Sequence, residues 1–129
     1  MHVRDGMSTD LLTVGHDHTL REAAARMTAR NVGAAVVVDP AGEGPGILTE
    51  RDIIRSLGAG EDPDAELVGN HLTPEAIVAR GEMSIEEAAQ AMLGGGFRHL
   101  VVVDELGQPL GMLSIRDVVR CMTEGVKAP

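Results

Sequence analysis

Gly46-Ile47-Leu48-Thr49-Glu50-Arg51-Asp52 returns as Gly111-Met112-Leu113-Ser114-Ile115-Arg116-Asp117, always 65 positions later. The same offset carries Val36-Val37-Val38-Asp39 onto Val101-Val102-Val103-Asp104, and Glu22-Ala23-Ala24 onto Glu87-Ala88-Ala89. A supersecondary unit is thus present twice without a gap, and duplicated units of this size pack against each other to complete a core. The 129 residues suit one compact domain or two small halves that stabilise each other.

Within each copy the periodicity alternates between helix and strand. Leu20, Ala23, Ala24 and Met27 have helical spacing, which predicts a helix over Leu20 to Arg30. Thr19 precedes it as N-cap and Glu22 completes a capping box. Ser84-Ile85-Glu86-Glu87 repeats the device, Ile85, Ala88, Ala89 and Met92 repeat the apolar face, and Gly94-Gly95-Gly96 ends that helix. The short apolar runs Ala34 to Val38 and Leu100 to Val103 read as strands buried on both faces. Asp39-Pro40-Ala41-Gly42 and Asp104-Glu105-Leu106-Gly107 read as turns into second strands, Gly46 to Leu48 and Gly111 to Leu113. Helices follow over Glu50 to Leu57 and Ile115 to Thr123. Short strands at Leu12-Thr13-Val14 and Ile77-Val78-Ala79 open the copies, and Met1 to Met7 and Leu67 to Leu72 each supply a helical turn ahead of them.

The result is an α/β (α+β) chain with β-α-β-β-α twice. The first repeat occupies 1–57, an acidic Pro-containing linker 58–66, the second repeat 67–123 and a frayed tail 124–129.

The order of these elements, the Val-Val-Val-Asp strand and the Gly-x-x-[Ser/Thr]-x-x-Asp segment, each present twice, resemble a tandem CBS-domain pair, the Bateman module. Phe97-Arg98-His99-Leu100-Val101-Val102-Val103-Asp104 and Thr49-Glu50-Arg51-Asp52-Ile53-Ile54-Arg55 carry the resemblance most strongly, and it spans nearly the whole chain. It implies two repeats packed by their sheets about a pseudo-twofold axis, with two clefts that take adenosine-containing ligands such as AMP, ADP or ATP. It also implies assembly into a homodimer and control of a partner protein that the sequence does not identify. No cofactor is required by it.

By resemblance, the motif Asp binds ribose hydroxyls and the Ser or Thr contacts phosphate, which assigns Asp52 and Thr49 in one copy and Asp117 and Ser114 in the other. A carboxylate can accept from two hydroxyls, and a hydroxyl beside free amides at a helix start favours an anion. From spacing alone the same residues are capping boxes, so both roles stand. Arg98 and His99 precede the second-repeat strand, where the family places basic phosphate contacts, whereas their counterparts are Gly33 and Ala34. The resemblance therefore ranks first a cleft joining Arg98, His99, Met112, Ser114 and Asp117 to Val32, Gly33 and Ala34. Ile47, Thr49 and Asp52 serve the other. A solvated strand end with a salt bridge is the competing account of Arg98 and His99.

A formal charge of −9 argues against a general nucleic-acid binder and against docking on anionic membranes. Phe97 is the sole aromatic residue, so a bound base would meet backbone and aliphatic walls. Cys121 stands alone, no run reaches the roughly 20 apolar residues of a membrane span, and the first residues lack a signal-peptide pattern, so a reducing, cytoplasmic setting is expected. Gly94-Gly95-Gly96 lacks the Lys-[Ser/Thr] of a phosphate loop, and no nucleophile or carboxylate pair is placed for catalysis, so enzymatic activity is not expected. Two further classes stay in view. One is a ligand-independent interaction module. The other is a metal sensor using His16 and His18, completed by a carboxylate or His71, against which a plain surface loop is the simpler account.

Overall fold

The computed structural model describes residues 1–38, 45–74 and 76–124. In chain order the elements are α1 (Val3–Gly6), β1 (Thr13–Val14), α2 (Leu20–Arg30), β2 (Ala34–Val37), β3 (Gly46–Thr49), α3 (Glu50–Gly58), a 3-10 turn (Val68–Asn70), β4 (Val78–Arg80), α4 (Ile85–Gly95), β5 (His99–Val103), β6 (Pro109–Ser114) and α5 (Ile115–Glu124). The expected helices and strands all form, with ends that move by a residue or two, as helix and strand ends do. The turn expected at Asp39 to Gly42 and the end of the tail lie outside the described residues.

Two three-stranded sheets result, ordered β1-β2-β3 and β4-β5-β6. In each, the first strand runs parallel to the second and the second antiparallel to the third. The helix between the parallel strands makes the crossover that parallel pairing demands. β2 and β5 are central in their sheets and are buried along almost their whole length, which is why their sequences are unbroken apolar runs. The local signals act as read: Thr19 and Glu22 form both halves of a capping box, Ser84 accepts from Glu87, and Gly96 closes α4 at φ 71°. Asp104 shapes the β5–β6 turn by accepting from the amides of Leu106 and Gln108.

The chain divides into two compact units, Leu12–Ala76 and Met1–Leu11 with Ile77–Pro129. Each has its own core, and the cores are twins: Leu20, Ala23, Met27, Leu48 and Ile53 in one stand where Ile85, Ala88, Met92, Leu113 and Val118 stand in the other.

The units do not coincide with the sequence repeats 1–57 and 67–123. The leading segment of each repeat belongs to the unit built on the other. Met1–Leu11 packs with the second repeat: Val3 is fully buried in its core, Val3 N–H donates to Met83 O at 2.7 Å, and Ser8 pairs with Met112 in both directions at 2.9 Å. Residues 66–74 do the same for the first repeat. Val68 is fully buried there, its N–H donates to His18 O at 2.8 Å, and Thr73 pairs with Ile47 at 2.9 Å. The physical reason is a shortage of both apolar area and backbone partners. A β-α-β-β-α unit this small leaves the outer edges of β3 and β6 unpaired, and an added bridge and an added Val repair both deficits. The linker is likewise not a free tether, because Arg21 N–H donates to Pro63 O at 3.1 Å and the Arg21 guanidinium pairs with Asp64.

Candidate functional site

Each unit gathers its own motif residues at one corner, where the central strand begins and the last helix starts. In the first repeat, β2 and β3 pair Ala34 with Thr49 and Val36 with Ile47. Alternation then puts Ala34, Ile47 and Thr49 on the face opposite the core cluster. Asn31, in the left-handed region at φ 54°, ends α2 and turns the chain into Val32 and Gly33. Glu50 N–H donates to Gly33 O at 2.9 Å, and the Glu50 carboxylate lies over Gly33, 3.2 Å from where a Cβ would stand. Thr49 and Asp52 form a capping box: Thr49 N–H donates to Asp52 Oδ2 at 2.8 Å and Thr49 O–H to the same oxygen at 3.1 Å. Asp52 Oδ1 has no partner among the described residues.

The second-repeat corner has the same frame and different chemistry. β5 and β6 pair His99 with Ser114 and Val101 with Met112, and Ile115 N–H donates to Arg98 O at 2.8 Å. Arg98 is exposed and has no ion-pair partner among the described residues, and His99 is half-buried. Ser114 and Asp117 form the second box, with Ser114 N–H and O–H donating to Asp117 Oδ2 at 2.8 and 2.9 Å. Here the other oxygen is also used. Arg120 pairs with Asp117 Oδ1 at 2.9 Å and donates to Gly6 O at 3.0 Å, which ties the motif to the N-terminal segment. Asp117 is 9% exposed.

Val32, Gly33, Ala34, Ile47, Thr49 and Asp52 therefore share the first unit, and Arg98, His99, Met112, Ser114 and Asp117 the second. Both capping boxes form. The first corner is acidic, through Glu50 and a half-engaged Asp52. The second is basic at the strand start, and Arg120 offsets its carboxylate. The sequence reading missed Arg120, although an Arg three residues after an Asp on a helix is a recognisable pair.

Among the described residues, one group of side chains could hold a metal ion: Glu61, Glu66 and His71. His16 and His18, the pair read from sequence, are not part of it, and His18 Nδ1 accepts from Gly15 N–H at 2.8 Å. No helix among the described residues is long and apolar enough to cross a membrane.

The CBS-domain family profile matches residues 2–59 and 68–124, one match per repeat, and the chain belongs to this family of paired CBS domains. The chain is 32% identical to an uncharacterized 17.7 kDa protein of Acidianus ambivalens over 91% of its length, spanning 70% of that protein. It is 30% identical to a Methanopyrus kandleri protein, of which it spans 57%. It is 35% identical to the CBS domain-containing protein YhcV of Bacillus subtilis, covering 90% of this chain and 81% of YhcV. Among solved structures, a CBS-domain protein of Agrobacterium tumefaciens superposes with a TM-score of 0.85 at 32% identity, over 95% of this chain and 99% of that one. A CBS-domain protein of Pyrobaculum aerophilum complexed with AMP superposes with a TM-score of 0.82 at 27% identity, over 91% and 89%.

Proposed function

We propose that this chain is a non-catalytic regulatory module that binds an adenine nucleotide or related adenosyl ligand and passes its occupancy to a partner protein. The AMP complex of the Pyrobaculum aerophilum relative is the observation that carries this reading. The second-repeat corner is the preferred anchor for the ligand's phosphate. Arg98 has no ion-pair partner among the described residues, His99 stands beside it, and Ser114 offers a hydroxyl at a helix start. Asp117 serves the ribose once Arg120 shares or releases Oδ1. Asp52 offers its unengaged oxygen for the same purpose in the first repeat, with Thr49 and Ile47 beside it. Binding acts by population shift, favouring the arrangement that the ligand fits best.

Calorimetric titration of AMP and ATP into the parent, Arg98→Ala and Asp52→Ala chains tests the reading. Arg98→Ala should lower affinity at least tenfold. Equal binding by parent and Arg98→Ala removes the second-repeat corner from the proposal, and absence of binding by the parent removes the adenosyl ligand.

A second reading, an interaction module that works without ligand, is favoured by one observation. Ile54 and Leu57 on α3 and Val119 and Met122 on α5 are exposed at matching positions, each one turn apart. Such paired apolar ridges suit a homodimer. Sedimentation of the parent against Ile54→Glu and Val119→Glu decides it, since a monomeric parent excludes that dimer.

A further inference from the structure

We propose that Glu61, Glu66 and His71 form a binding site for one first-row divalent cation, zinc foremost. His71 Nε2 lies 2.7 Å from Glu66 Oε1 and 3.9 Å from Glu61 Oε1, and all three donor atoms lie within 4.8 Å of one another. With zinc bonds of about 2.0–2.1 Å, tetrahedral donors stand about 3.3 Å apart, so each of the two measured separations needs to change by only about 0.6 Å. One imidazole and two carboxylates suit zinc, and three protein donors leave a position for water. The side chains are 17%, 28% and 38% exposed for His71, Glu66 and Glu61, so an ion can enter.

The donors are held before any ion arrives. Ser56, 3% exposed, donates at 2.9 Å to Glu61 Oε1, the same oxygen that faces His71, and so fixes that carboxylate. The backbone under each donor is also fixed: Glu61 N–H donates to Ser56 O, Glu66 N–H to Asp62 O and His71 N–H to Val68 O, all at 2.9–3.1 Å. With neutral His71, the form that ligates a metal, the two carboxylates give the trio a charge of about −2, which one divalent cation neutralises.

The duplicated unit supplies an independent control. At the positions matching Ser56 and His71 the second unit has Cys121 and Gly6, packed so closely that a Cβ on Gly6 would stand 2.6 Å from Cys121 Sγ. That corner closes with no charged side chain at either position. The fold therefore does not require a histidine at position 71 or a hydroxyl at position 56 to close this corner.

The test uses the full chain stripped with chelator, titrated with zinc chloride by calorimetry and equilibrium dialysis. The expected result is one zinc per chain, with affinity at least tenfold lower in Glu61→Gln and in His71→Asn. The double variant His16→Ala/His18→Ala should bind like the parent. Circular dichroism establishes that each variant is folded. If His71→Asn is not, Glu61→Gln decides, because its side chain is the most exposed of the three. No zinc uptake by the parent at millimolar metal, or uptake lost in the His16/His18 variant and retained in Glu61→Gln, overturns the proposal.

Discussion

Replacing the two motif aspartates by alanine should not cost the same. Asp117 receives hydrogen bonds from Ser114 N–H and O–H on one oxygen and the Arg120 guanidinium on the other, at 2.8–2.9 Å, while 9% exposed. Asp52 has the two Thr49 bonds and no ion pair among the described residues, and it is half-buried. Asp52→Ala keeps the N-cap bond from its own N–H to Thr49 Oγ and loses only the reciprocal half of the box, the carboxylate that accepts from Thr49. It is therefore expected to cost about 1–1.5 kcal/mol, the upper range of a typical net hydrogen bond. A hydrogen bond to a charged group contributes about 1.5–3 kcal/mol net, and bonds sharing one carboxylate are not additive. Asp117→Ala therefore adds one such contribution and should cost about 3 kcal/mol. The assay is urea unfolding at neutral pH, comparing midpoints at an unchanged slope of about 1–3 kcal/mol per molar. In an Arg120→Ala background the gap between the two aspartates should fall below about 0.5 kcal/mol, the usual limit of additivity for uncoupled sites. Equal costs in the parent background, or a gap that survives loss of Arg120, would refute the account of Asp117 as a carboxylate held on both oxygens.

Other outcomes follow from single positions. A Cβ at Gly111 would stand 2.5 Å from Ser8 O, a backbone atom, so Gly111→Ala should break the Ser8–Met112 bridge and speed hydrogen exchange at both amides. Gly96 closes α4 at φ 71°, so Gly96→Ala should cost about 1 kcal/mol, whereas Gly94→Ala, in open space inside the helix, should raise the thermal midpoint. The backbone hydrogen bond from Thr19 holds the Glu22 carboxyl below its ordinary value of 4.5. Its contribution is therefore present above that pH and lost as pH falls through the lower folded value, so Glu22→Gln should flatten the acid limb of stability, read from urea midpoints between about pH 3 and 5.

The sequence was most informative where chain neighbours make the structure. The caps at Thr19 and Ser84, the αL closure at Gly96 and the buried runs of β2 and β5 depend on residues within a few positions, and each formed as read. The motif boxes were legible for the same reason. What the sequence hid depends on which unit a segment joins. Val3 and Val68 look like ordinary apolar residues of short turns, and nothing local says that each completes the core of the other repeat's unit. Nothing near Arg120 in sequence signals its contact with Gly6 O, 114 positions away. Glu61 and Glu66 read as part of an acidic linker, because the pairing that brings them to His71 runs through backbone bonds to Asp62 and Val68.

The exchange of leading segments also gives the chain an order of completion during synthesis. Leu12–Ala76 is one uninterrupted stretch, so every part of that unit has been made once Ala76 is added. The other unit includes Met1–Leu11, and Ser8 finds its partner only when Met112 appears. At roughly 5–20 residues per second, that interval is about 5–20 s. Through it Val3, fully buried in the finished fold, lacks the core that it joins. Met1–Leu11 is thus made before Leu12–Ala76 and folded after it.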